Sequence, residues 1–195
     1  MTIAKVLLTG VLVGAIAACG PKTLLTPGDV DPCKIMSPTE LSPLAGMTLA
    51  EGDHNATGTS CLYRRSGAKA SDSSSSVQVT VLTDDTPQEF RRSLENAKKV
   101  GNARSISGIG EEAFLFGPAK SSSKEGQSPQ VAGGDARSGS IRARVAVQDR
   151  SAVVTDQSSA EKILRLVLER SIEVSSNATL RAPGPSEGKR LDSAL

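Results

Sequence analysis

Apolar and polar residues alternate with a period of two in several stretches of this chain, and in others repeat with the 3.6-residue period of a helix. Val77, Val79 and Val81 alternate strictly with Gln78 and Thr80, the pattern of a half-buried strand. Ile141, Ala143, Val145 and Val147 alternate with Arg142, Arg144 and Gln148 in the same way. Glu111 to Phe116 sets Ala113 and Leu115 against Phe114 and Phe116. Cys61 to Tyr63, ending at Arg64-Arg65, and Ser151 to Thr155 read as further short strands. Helical spacing marks three other segments: Leu41, Leu44 and Ala45; Phe90, Leu94, Ala97 and Val100; and Ile163, Leu164, Val167, Leu168 and Ile172.

Each helical segment opens on a capping box, in which a hydroxyl and a glutamate three residues later satisfy each other's free amides. The pairs are Ser37 with Glu40, Thr86 with Glu89 and Ser158 with Glu161. Pro38 and Pro87 suit the first helical position, and Gly46 and Gly101 supply stops. Ser66 to Ser76 is a hairpin loop and Ile106 to Gly110 a tight turn. Gly117 to Ser140 is rich in Gly, Ser, Pro and Lys and reads as a mobile excursion. The order is α-β-β-α-β-β-β-α. It predicts an α+β fold, an antiparallel sheet of about five strands with helices packed on one face.

The N-terminus follows a different logic. Lys5 precedes an apolar run from Val6 to Ala18, too short for the ~20 residues that cross a bilayer core. Charge, short apolar run and small residues are the grammar of a secretory signal. Ile16-Ala17-Ala18-Cys19 at its end is a lipobox, with cleavage after Ala18 and acylation of Cys19. Two or more acyl chains hold a protein stably on a membrane. Gly20 rather than an acidic residue follows Cys19, the pattern sent on to an outer membrane where a cell has one. The expected organisation is a signal peptide over 1–18, a tether over 19–30, one domain over 31–176 with a flexible insertion at 117–140, and a disordered tail over 177–195. The expected location is the cell envelope, anchored by lipid on the extracytoplasmic face of the plasma membrane, or on the outer membrane where the cell has two.

Composition narrows the function classes. The 23 basic and 21 acidic residues leave the chain nearly neutral, and no dense basic block marks a nucleic-acid footprint. Aromatics are 2%, with no Trp, which argues against stacking platforms for sugars or single strands. With Cys19 assigned to lipid, Cys33 and Cys61 remain in an exported domain, where pairing is the simple solution. A catalytic thiol would need a base, and the single histidine, His54, lies between the two cysteines.

Glu51, Asp53, His54 and Asn55 are ligand-type side chains, but beside Gly52 and Gly58 they read as a polar surface loop rather than a metal centre. Glu111 and Glu112, adjacent on a strand, should point to opposite faces and not share a substrate. Asp84 and Asp85 precede a helix start, where negative charge is favoured. Gly108-Ile109-Gly110 leads into a strand, so no helix N-terminus serves it as an anion site. Arg142 and Arg144 form a basic strip, with Arg64 and Arg65 near it. It is either solvated charge or a contact for acidic envelope polymer or anionic lipid. No cofactor and no metal is expected.

Four motifs in order carry a resemblance. Asp31-Pro32-Cys33, Ile35 to Leu41, Cys61-Leu62-Tyr63 and Gly108-Ile109-Gly110-Glu111-Glu112-Ala113-Phe114 resemble a family of actinobacterial cell-envelope lipoproteins without an established activity. The resemblance spans Asp31 to Ile172. It implies a Cys33–Cys61 disulfide and an α+β fold of the kind seen in the photosystem-associated PsbP proteins, and it brings no catalytic residues. The expected function is a non-enzymatic binding or assembly module with an envelope protein, or an apolar or polymeric component, as partner. The alternatives are an envelope hydrolase with an unrecognised site and a purely structural protein.

Overall fold

A computed structural model describes residues 30–69, 75–100, 103–117, 130–149 and 157–181. Cys19, the signal, all but the last residue of the tether, Ser151 to Thr155, residues 118–129 of the 117–140 insertion and the tail beyond Arg181 lie outside the described residues. The elements are α1 (Pro32–Ile35), α2 (Pro38–Ala45), β1 (Asp53–His54), β2 (Ser60–Arg64), β3 (Ser76–Leu82), α3 (Pro87–Val100), β4 (Arg104–Ile106), β5 (Glu112–Phe116), β6 (Gln130–Ser138), β7 (Ile141–Asp149) and α4 (Gln157–Arg181). The fold is α+β, as expected. Among the described residues the sheet has seven strands rather than about five, in the order β1-β2-β3-β7-β6-β5-β4, with every neighbouring pair antiparallel.

Three boundaries move. β6 occupies the C-terminal part of the segment read as a mobile excursion, and a turn at Gly139 joins it to β7. Gly139 has φ +59, a backbone that residues with a Cβ rarely adopt. α4 begins at Gln157, so Ser158 sits in its first turn rather than capping it. The same helix runs on to Arg181, past the expected domain end at residue 176.

Alternation of side chains divides the sheet into two faces. One carries Cys61, Tyr63, Val77, Val79, Val81, Ala143, Val145, Val147, Ala136, Ala113 and Leu115, all buried. Ile163, Leu164, Val167 and Leu168 of α4 cover it, with Ile35, Leu41 and Ala45 of α1 and α2 alongside. This is the main core. Helices on this face alone were expected, and α3 departs from that. Phe90 of α3 packs edge-on against Phe114 of β5, ring centroids 5.5 Å apart, on the opposite face. The cause is topological. β3 and β4 run parallel and lie at separate places in the sheet, so the chain between them must cross a face.

α2 shows how local chemistry fixes an element. Ser37 accepts from the Glu40 amide, and Glu40 Oε2 accepts from the Ser37 amide at 3.0 Å, the full capping box. Pro43 lies inside the helix, which stops at Gly46 in the left-handed conformation. Glu40 Oε1 also accepts from Arg170 of α4 at 2.6 Å, while Arg170 donates to the Ile35 carbonyl at 2.9 Å. The Arg170 hydrogen bond and then the Ser37 contacts pull the Glu40 carboxyl from 4.5 down to about 2. A carboxyl depressed on folding stabilises the fold above its unfolded value and loses that contribution as it protonates. The thermal midpoint should therefore fall as pH drops from 4.5 toward about 2. Glu40→Gln should flatten that part of the profile, measured by circular dichroism melts; an unchanged slope would remove the role given to Glu40.

Candidate functional site

The residues that carry recognisable chemistry gather in two places. The first is a corner where α1 meets β1 and β2. Asp31 caps α1 by accepting from the Cys33 amide at 3.0 Å. Cys33 is disulfide-bonded to Cys61 of β2, Cα atoms 5.0 Å apart. Beneath the bond, the Tyr63 hydroxyl donates to the Met36 carbonyl at 2.7 Å. Burial, and next the charge of Asp31, push the Tyr63 phenol up to about 12, so it stays a donor. Gly52 is required here: a Cβ on it would come within 2.3 Å of Cys61 Sγ and 2.8 Å of the Tyr63 ring.

His54 stands opposite Cys61 in the β1–β2 register, and its Nε2 lies 3.3 Å from Asp31 Oδ1. Asp31, Cys33 and His54 thus offer three metal-ligand atoms within 4.8 Å of one another. A disulfide sulfur is not a thiolate, however, and cannot act as the nucleophile or the ligand that a free cysteine supplies. The neighbouring ligand-type residues do not converge on this group. Asp53 pairs with Arg64, and Asn55 closes its own turn by accepting from the Ser60 amide at 3.0 Å. Glu51 is exposed beside a shallow groove of about 460 Å³ between α2 and the segment before β1. Ser42, which lines that groove, is already bonded to the Pro38 carbonyl at 2.6 Å and the Leu49 amide at 3.0 Å.

The second place is the sheet face under α3. Arg142 is 5% exposed and Asp135, fully buried, lies beside it on β6. The two form a bidentate pair with both contacts at 2.7 Å. Asp85, in the connection from β3 to α3, adds a contact to Arg142 at 3.0 Å, and Arg144 reaches Asp135 at 2.8 Å. The guanidinium of Arg142 also stacks over the Phe90 ring, 5.4 Å from its centroid. Burial opposes the charge on Arg142, but Asp135 and Asp85 outweigh it and hold the guanidinium above its usual range. Burial pushes the Asp85 carboxyl up, against the pull of Arg142. Beside this cluster, Arg137 takes both Glu111, at 2.9 Å, and Glu112, at 3.1 Å. Burial opposes the charge on Glu112, and Arg91 and Arg137 together still hold its carboxyl below the usual range.

These placements correct the expectations for charged residues. Arg142 is an interior ion-pair partner, not part of an outer basic strip. Arg144 keeps 45% of its side chain in solvent. Arg64 and Arg65 lie at the other end of the sheet. Arg64 pairs with Ser76, which pairs with Gln148, six positions along β7 from Arg142. At ~3.3 Å per residue that is about 20 Å. Arg65 faces Asp149 there at 3.5 Å. Glu111 precedes β5 rather than lying on it, so the alternation rule does not separate it from Glu112. Asp85 does more than bias a helix start: it is the third member of the buried network.

Comparison of the chain with family models, with curated proteins and with solved structures gave no match. The chemistry of the two clusters therefore rests on their own geometry. Sequence reasoning missed Asp135 and Arg137, both on β6. The signal available was their two-residue spacing from one another between Gly134 and Ser138.

Proposed function

We propose that this chain is an exported, lipid-anchored, non-enzymatic binding module of the cell envelope. The disulfide between Cys33 and Cys61 carries the reading. Such bonds persist in exported proteins and are rare where thiols are kept reduced. The Val6–Ala18 apolar run and the lipobox at Cys19 agree with it, as does the resemblance to envelope lipoproteins drawn from the Asp31-Pro32-Cys33 and Gly108–Phe114 motifs. Against a hydrolase, the two described thiols are bonded to each other and the histidine beside them faces Asp31.

The surface for a partner is the β2–β3 half of the face that α3 crosses. Gln78 is exposed there, and Leu62, Arg64, Thr80 and Leu82 are half-buried, while every inward neighbour is buried. Arg144 borders this area. An open, mixed polar and apolar sheet face suits an envelope protein or polymer better than a small substrate, because it offers contact area without enclosure.

The anchor is tested by Cys19→Ala. The variant should move from the membrane pellet to the soluble fraction, and radioactive palmitate should label only the parent chain. Unchanged fractionation would remove the anchor. Partner capture is tested by pull-down from detergent-solubilised membranes with the parent chain and with Gln78→Glu/Thr80→Glu. A partner retained equally by both would rule out this face.

A further inference from the structure

We propose that reduction of the Cys33–Cys61 bond turns the stapled corner into a site for a zinc-like divalent ion, held by Cys33, Cys61, His54 and Asp31. The ligand atoms of Asp31, Cys33 and His54 already lie within 4.8 Å of one another. Cys61 Sγ is bonded to Cys33 Sγ, so it lies beside that group of three. His54 and Cys61 are direct partners across β1 and β2, which sets both side chains on one side of that strand pair. Four ligands thus come from three pieces of backbone: the turn into α1, β1 and β2.

The donor set selects the ion. Two thiolates, an imidazole and a carboxylate fit the four-coordinate preference of zinc, whereas calcium and magnesium want oxygen ligands. Access exists from solvent, because the His54 side chain is 47% exposed and that of Asp31 27% exposed. In the oxidised chain the site is closed by chemistry rather than by shape, since neither sulfur can ligate as a thiolate.

The two steps balance. An external dithiol supplies two electrons and two protons, which break the S–S bond and leave thiols on Cys33 and Cys61; the dithiol departs as its own disulfide. The metal ion then displaces both thiol protons to solvent and forms two metal–sulfur bonds. Occupancy of this corner would follow the thiol–disulfide state of the compartment.

The test uses the full chain in detergent, reduced with a phosphine and freed of it without air. Zinc affinity is read by competition with a chromophoric chelator, and cobalt(II) absorption reports sulfur ligation. Reduced chain should bind one ion with release of about two protons, at least about 100-fold more tightly than oxidised chain. Reduced His54→Ala should bind at least about tenfold more weakly, and so should Asp31→Asn, which keeps an acceptor for the Cys33 amide. Equal binding by oxidised chain, or a cobalt spectrum without the thiolate band, would overturn the proposal. So would an unaltered affinity in reduced His54→Ala, the result expected of an unfolded dithiol. Circular dichroism of the reduced chain with zinc should show the native spectrum, and a chain that stays unfolded would overturn it too.

Discussion

Asp135→Ala should cost about 3–5 kcal/mol of unfolding free energy, the loss expected when one member of a buried ion pair is removed. Asp135 is the only group that touches both Arg142 and Arg144 among the described ion pairs. Without it, Arg142 keeps a single carboxylate, Asp85, whose own burial works against its charge. The damage should spread to α3. Asp85 donates its amide to the Ser140 carbonyl in the β6–β7 turn, and Phe90 sits under the Arg142 guanidinium. Urea titration followed by circular dichroism would measure the loss. A triple Asp85→Asn/Asp135→Leu/Arg142→Met variant, which leaves no buried charge of the network unpaired, should recover most of it, because apolar groups of similar volume often match a buried ion pair. A loss below about 1 kcal/mol in Asp135→Ala would mean that Arg142 finds water and that the cluster is not a buried network.

Cys33→Ser/Cys61→Ser should lower stability by about 2–4 kcal/mol, the usual range for removing a native crosslink. The loop it closes contains β1 and all of α2, so its loss frees both in the unfolded chain. The native corner retains other ties, since Tyr63 still donates to the Met36 carbonyl and Arg170 still holds the Ile35 carbonyl. The double variant should therefore fold at low temperature and melt earlier in a calorimeter. Parent chain in reductant should melt with it. If the parent chain shows no change on reduction, the bond contributes nothing that the corner does not already have.

Much of the architecture was legible because it rests on short-range chemistry. The capping boxes at Ser37 and Thr86 form as their Ser/Thr-x-x-Glu spacing requires. The valines of β3 and the small apolar residues of β7 face the core as their alternation requires. β6 escaped notice because its neighbours dictate small residues that mimic a loop. A Cβ on Gly133 would meet the Phe116 ring at 2.3 Å, and one on Gly134 would meet Leu164 at 2.7 Å. Its bulk comes from opposite partners, not from itself. Arg142 misled for a related reason. A charged residue alternating with apolar ones reads as solvent-facing, and only the arrival of Asp135 from β6 and Phe90 from α3 shows that this end of the second face is covered. α1 is one turn long, too short for any periodicity, though Asp31 and Pro32 mark its start.

The middle of the sheet has a consequence for how the molecule is made. Val77 pairs with Val147, and Leu82 with Arg142, so the two central strands meet only after most of the chain exists. Pairings this distant in sequence give a high contact order and slow folding. A nascent polypeptide of this kind remains threadable until β7 emerges. That delay would suit the export proposed above, in which the chain would cross the membrane before β3 and β7 pair.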